Sequence, residues 1–221
     1  MAAAVLTLRA QLASRFDTAF GIRTKSDCQY LATGFEAVDR MLHGGIPRAT
    51  LSEIAGALST GRTTLMTALL ANATKAGEAC VWVDAAGSFD PASAAENGAL
   101  LERLLWVNCE GNAQHALKTT DLFIQAGGFG LVVLDLGETP WEVSRRIPLA
   151  SWFRLRHAAE ASSAALVVLG QQVNARSCSS VQLETQRREI SWRGRLLRGL
   201  HAEAQSLRHQ MRGTAEFIVQ R

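Results

Sequence analysis

The chain has 221 residues, 48% of them hydrophobic and 19% charged, with a formal net charge of +3; that supports one full core and excludes a disordered or low-complexity chain. Four scattered cysteines, Cys28, Cys80, Cys109 and Cys178, form no C-x-x-C pair, which argues against a zinc site or a disulfide framework and fits a reducing, cytoplasmic compartment. No apolar run approaches the roughly 18 residues of a membrane span, and Met1–Arg9 has no basic region ahead of a long apolar stretch, so neither a membrane anchor nor a signal peptide is expected.

Residues 3–20 are predicted to form a helix, with Val5, Leu8, Leu12 and Phe16 at helical spacing. A polar segment, Gly21–Gln29, follows, so residues 1–29 read as an N-terminal helix and linker and 30–221 as the core domain. Thr33–Leu42 reads as a capped helical turn, and His43–Arg48 as a tight turn into a strand at Leu51–Ile54. A helix is predicted over Thr63–Ala76, then a buried strand over Ala79–Asp84, a short helix at Pro91–Asn97 and a strand at Leu104–Val107. Ala113–Ala126 is predicted helical, Leu131–Asp135 a strand ending in a carboxylate, Trp141–Ala161 mostly helix and Ala165–Gly170 another strand. The alternation implies an α/β fold with a mostly parallel central sheet flanked by helices. Beyond it, Val181–Gln186, Glu189–Trp192, His201–Arg208 and Glu216–Val219 read as antiparallel strands appended at the C-terminal end.

The stretch Gly56-Ala57-Leu58-Ser59-Thr60-Gly61-Arg62-Thr63-Thr64 has the spacing of a phosphate-binding loop, G-x-x-x-x-G-K-[ST], with arginine in place of lysine. Such a loop turns backbone N–H groups toward a phosphate and aims the N-terminus of the next helix at the same anion. Gly56, Ser59, Thr60, Gly61, Arg62, Thr63 and Thr64 are therefore the candidate nucleotide-binding residues. The other reading of the same residues is an ordinary glycine-rich turn between strand and helix. Arg62 keeps the positive charge, but its guanidinium is larger, planar and forked. Asp135 sits where a strand delivers a magnesium carboxylate, with the Thr63 hydroxyl as the second candidate ligand; the alternative is an aspartate capping the next turn. Asp84 stands where a group could orient water for hydrolysis, the alternatives being a residue that faces the sheet edge or caps a turn; Gln171 stands where a residue could sense a terminal phosphate, or is a polar strand end with no ligand.

Charge divides the chain. Residues 1–135 hold 10 Lys/Arg and 13 Asp/Glu, whereas residues 136–221 hold 13 Arg, no Lys and 7 acids. Arg145, Arg146, Arg187, Arg188, Arg193, Arg195 and Arg198 are candidate contacts to DNA or another polyanion, binding without sequence preference; a solvated arginine-rich surface is the alternative.

Thr33-Gly34, Asp39, Gly44-Gly45-Ile46-Pro47, Glu53-Ile54-Ala55-Gly56, Thr60-Gly61-Arg62-Thr63-Thr64-Leu65, Val83-Asp84-Ala85, Asp90-Pro91, Leu134-Asp135 and Gln171, in that order, resemble the ATPase core of RecA-type recombinases over roughly residues 30–175. The resemblance implies ATP or ADP and magnesium as cofactors, DNA binding and self-association. Two departures stand out. Arg62 replaces the loop lysine, and Ala86 stands where RecA carries its water-activating glutamate. The RecA DNA-binding loops would fall near Gly137–Ile147 and Asn174–Ser180, both short here, and no counterpart of its separate C-terminal domain is expected within these residues. Trp192, Leu196-Leu197-Arg198-Gly199-Leu200 and Leu207-Arg208 are similar to the ends of the ImuA proteins, small RecA-like proteins of bacterial mutagenesis cassettes. That resemblance implies RecA, the polymerase relative ImuB and an error-prone polymerase as partners in the DNA-damage response. The reading is an impaired ATPase acting as an interaction scaffold. Its rivals are a DNA-dependent ATPase or recombinase paralogue that tolerates Arg62, and a regulator that binds nucleotide without turnover.

Overall fold

The computed structural model describes residues 6, 7, 10 and 11, 29–207 and 212–220. The helix expected over residues 3–20, with Val5, Leu8, Leu12 and Phe16, lies outside the described residues apart from those first four positions, which are helical. In chain order the described elements begin with β1 (Tyr30–Leu31), α1 (Glu36–Met41), β2 (Ile46–Pro47), β3 (Thr50–Gly56), α2 (Arg62–Lys75), β4 (Cys80–Asp84) and α3 (Pro91–Glu96). Next come β5 (Leu104–Asn108), α4 (Ala113–Ala126), β6 (Leu131–Asp135), α5 (Trp141–Ser144), α6 (Leu149–Glu160) and β7 (Ala165–Gly170). Three long strands end the described chain: β8 (Val181–Arg193), β9 (Leu196–Ser206) and β10 (Gly213–Gln220).

One eight-stranded sheet runs in the order β10-β9-β8-β3-β7-β6-β4-β5. From β8 to β5 every pairing is parallel, and β9 and β10 continue the sheet antiparallel. This is the mostly parallel sheet with C-terminal antiparallel strands that the sequence pattern implies, with one refinement. The first of the late strands, β8, joins β3 in parallel, and its 13 residues run without interruption through both stretches expected to be extended.

The strands alternate between two cores. Cys80 and Trp82, Leu131 and Val133, and Ala165, Val167 and Leu169 face α2; Val81 and Val83, Val132 and Leu134, and Leu166 and Val168 face α4 and α6. Leu65, Met66, Leu69 and Leu70 of α2 are wholly buried on the first face, each contributing about 1.5–3 kcal/mol by leaving water. The period of two carries functional weight. Asp84 continues the parity of Trp82, and Asp135 that of Val133, so both carboxylates emerge on the α2 side, paired in register at the ends of β4 and β6.

The stretch Trp141–Ala161, expected to be mostly helix, is helical as α5 and α6; the break falls ahead of Pro148, which has no N–H to donate and disfavours helical backbone just before it. One local expectation is corrected. The turn at Thr33–Leu42 has no side-chain N-cap on its first helical residues; instead the Thr33 N–H donates to Asp39 Oδ1 at 2.7 Å. No helix among the described residues is long and apolar enough to cross a membrane.

Candidate phosphate-binding site

The C-terminal ends of β3, β4, β6 and β7 meet at one edge of the parallel sheet, the edge where sheets of this kind hold their ligands. β3 delivers Gly56, and the loop turns through Ala57–Gly61 into α2. Its crown is open, with Ala57, Leu58 and Ser59 exposed. Ser59 and Gly61 have φ of 58° and 86°, the left-handed backbone that turns successive N–H groups to one side. Among the described residues, the N–H groups of Leu58 to Gly61 donate to no protein acceptor. The first turn of α2 carries no side-chain cap, so its leading N–H groups also face outward.

The far end of the chain sets the loop's shape. Thr60 Oγ1 donates to Ala57 O at 2.8 Å and lies 2.8 Å from Thr185 Oγ1 of β8. A methyl on Gly56 would overlap Thr185, and one on Gly61 would come within 3.0 Å of the Phe217 ring of β10. Phe217 also packs on Phe35, with ring centroids 4.9 Å apart. Both loop glycines are thus required by close packing against the appended strands.

Arg62 is 3% exposed. Its Nη1 donates to Gly56 O, and its Nη2 donates to Gly137 O at 2.7 Å and to Glu138 Oε1 at 2.9 Å. Thr63 is exposed and Thr64 half-buried at the start of α2. Asp135 Oδ1 accepts the Gly137 N–H at 2.8 Å, and Oδ2 accepts Trp82 Nε1–H at 3.1 Å. A cavity of about 360 Å³ lies between α2 and the strand ends, bounded by Arg62, Thr63, Asp135 and Glu138 among others. Thr63 and Asp135, the two candidate metal ligands, therefore border one space. Among the described residues no group of three or more His, Cys, Asp or Glu side chains is placed to hold a metal by itself.

Asp84 caps the turn after β4. Its Oδ1 accepts the N–H groups of Ala86 and Gly87 at 3.1 and 2.7 Å, and its Oδ2 accepts that of Phe89 at 2.8 Å. Ala86 itself is exposed on that turn, and its methyl can accept no proton. Gln171 is half-buried just past β7 and does not border the cavity.

The arginines fall into two groups. Arg145 and Arg146 are exposed beside α5 and border a second cleft of about 300 Å³ together with Trp141, Trp152, Asn174 and Arg176. Arg187, Arg188, Arg193, Arg195 and Arg198 lie on the β8–β9 ribbon, whose tip exposes Trp192 and Leu196. Arg188 is taken up by Glu203, with Nη2 donating to Oε1 at 2.8 Å and to Oε2 at 2.9 Å.

Sequence reasoning missed three contributors. Glu138 has no motif to mark it. Thr185 is a strand threonine like many others. Glu53 carried a signal, an acid inside an otherwise apolar strand. Its Oε1 accepts the N–H groups of Asn174 and Ala175 at 2.7 and 2.8 Å, and its Oε2 accepts the Ser179 hydroxyl at 3.0 Å. A buried carboxylate of β3 thus holds the segment after β7 in place.

Burial raises Asp135 to about 6; the Gly137 N–H opposes this and the like charge of Asp84 adds to it. Burial also raises Glu53, against its hydrogen bonds. The native state therefore holds the Asp135 proton more tightly than the unfolded chain does. The stabilisation is complete below the ordinary value of 3.8 and is lost as pH rises through about 6. The Asp135 side-chain carbon is expected to titrate with its midpoint near 6 in carbon-detected NMR; a midpoint at the ordinary aspartate value would refute the burial account.

Comparison with known proteins matches residues 8–140 to the RecA N-terminal domain. The chain is 39% identical over 116 residues to Protein RecA of Deinococcus radiodurans, a stretch covering 52% of this chain and 32% of that protein. It is 35% identical to Protein RecA of Rickettsia canadensis and 36% identical to that of Streptomyces venezuelae, again over 52% of this chain, and over 34% and 30% of theirs. The matched stretch spans about a third of the length of these relatives.

Proposed function

The chain belongs to the RecA N-terminal domain family, and from that premise we propose that it is a catalytically impaired member, an ImuA-like accessory protein of DNA-damage-induced translesion synthesis. It acts as a scaffold for RecA and for polymerase-like partners, an ImuB-type protein and an error-prone polymerase. The observation that carries the reading is the state of the phosphate loop. The residue in the lysine position is buried and donates to the Gly56 and Gly137 carbonyls and to Glu138, while the position of the water-activating glutamate is the exposed Ala86. A RecA core without its catalytic groups still has surface to offer. The Arg145–Arg146 cleft and the β8–β9 ribbon supply basic surface for DNA or an acidic partner.

A second reading, nucleotide binding without turnover, is favoured by the unpartnered N–H groups of Leu58 to Gly61. In it ADP or ATP tunes the scaffold.

The segment proposed to dock on the partner is residues 1–20, where Val5, Leu8, Leu12 and Phe16 recur at helical spacing, so purified full-length chain and a variant lacking residues 1–20 are the test, measured by surface plasmon resonance against purified RecA and against an ImuB-type protein. The full chain is expected to bind at least one of them, and the truncated chain to bind more weakly while keeping its far-UV dichroism. Equal binding by both forms would remove the N-terminal segment from the interface, and binding of neither partner by the full chain would end the scaffold reading.

A further inference from the structure

We infer that Arg62 occupies the role of the metal, so that the loop takes the phosphates of a nucleotide without magnesium, with the guanidinium as their counter-cation. The inference rests on the reading that the loop still receives phosphate.

The resemblance to RecA implies magnesium held near Thr63 and Asp135, and the residues present do not fit it. A guanidinium has five N–H donors in a rigid fork. Three are committed here, to Gly56 O, Gly137 O and Glu138 Oε1. The first of these carbonyls ends β3 and the second lies just past β6, so the side chain spans the gap between the loop and the Asp135 strand end. A methyl built on Gly137 would lie 3.0 Å from Asp135 Oδ1 and 3.1 Å from Arg62 Nη2; carboxylate and guanidinium border the same few ångströms. Both Asp135 oxygens already accept a hydrogen bond, from Gly137 and from Trp82.

A magnesium ion asks for a near-octahedral oxygen set and sheds water reluctantly. Here it would meet a fixed cation and a carboxylate with its lone pairs shared. A loop lysine differs because it is a flexible point charge that moves with the phosphate it binds. Arg62 is held by two buried backbone carbonyls and by the exposed Glu138 carboxylate, and it cannot step aside without giving up all three. Its two remaining donors, Nε–H and the second Nη1–H, together with the N–H groups of Leu58 to Gly61, suit the anionic oxygens of a di- or triphosphate.

ADP binding to the full chain, measured by calorimetry in EDTA and in excess magnesium, tests this. The wild-type affinity is expected to be equal in the two buffers or weaker in magnesium, which sequesters free ADP. In Arg62→Lys magnesium is expected to strengthen binding about tenfold or more. Wild-type binding that tightens about tenfold in magnesium overturns the inference alone. Binding by Arg62→Lys but not by wild type also overturns it, since Arg62 then plugs the loop. Binding by neither overturns the phosphate reading on which it rests. If Arg62→Lys fails to fold, Asp135→Asn decides. Metal-free binding predicts the same change of affinity in EDTA as in magnesium, and a loss confined to magnesium refutes it.

Discussion

Steady-state ATP hydrolysis by this chain is expected to stay at the uncatalysed background, with or without single-stranded DNA. A general base contributes typically about 10²–10⁴ in rate, and in the proposed reading the residue in its position is Ala86. Among the described residues, the carboxylates around the cavity are already engaged, Asp90 as the acceptor that caps α3 through the Ala92 N–H. Asp84 is spent on three backbone N–H groups of its turn, and Glu138 is paired with Arg62. Asp135 accepts from Gly137 and Trp82. The second loss compounds the first, because the charge meant to follow the transferring phosphoryl group is bonded to Gly56 and Gly137. A coupled assay settles the matter: DNA-stimulated turnover that disappears in Asp135→Ala would reject the impaired-ATPase reading and favour a recombinase paralogue. Ala86→Glu alone is expected to restore nothing, since Arg62 remains committed; only its combination with Arg62→Lys rebuilds both missing groups.

Glu53→Ala is expected to cost about 3 kcal/mol of stability. The substitution strands the N–H groups of the half-buried Asn174 and the buried Ala175, each at about 1–3 kcal/mol when left unpaired, whereas the Ser179 hydroxyl keeps the Arg176 carbonyl as an acceptor. Part of that is offset, because the burial that raises the Glu53 carboxyl also makes its charged form costly to keep. Glu53→Gln retains an acceptor for the two backbone groups and should lose roughly half as much. Urea unfolding measures the loss, and hydrogen exchange at the Asn174 and Ala175 amides localises it. A change of less than about 0.5 kcal/mol in Glu53→Ala, the size of an ordinary surface substitution, would show that the segment after β7 is held by something else.

The parallel core was legible in the sequence because its strands are buried on both faces. Leu131–Asp135 and Ala165–Gly170 read as strands from their continuous apolar character, and the first already placed a carboxylate at its end. The Gly56–Thr64 spacing marked the turn from β3 into α2 that carries the candidate phosphate loop, and the helix expected over Ala113–Ala126 is α4 to the residue. The sequence alone also marked Arg62 and Ala86 as departures, since a change of residue type at a motif position needs no coordinates to be seen. What the arginine does was decided only by the tertiary structure. Its partners Gly137 and Glu138 are 75 and 76 residues away, and two of its three acceptors are backbone carbonyls, which no residue type encodes. The same holds for Thr185 and Phe217, which require Gly56 and Gly61 to be bare from strands more than a hundred residues downstream. Local pattern and propensity act through neighbours in the chain. A buried guanidinium, a stranded donor or a missing methyl is settled by whatever the folded sheet brings within a few ångströms.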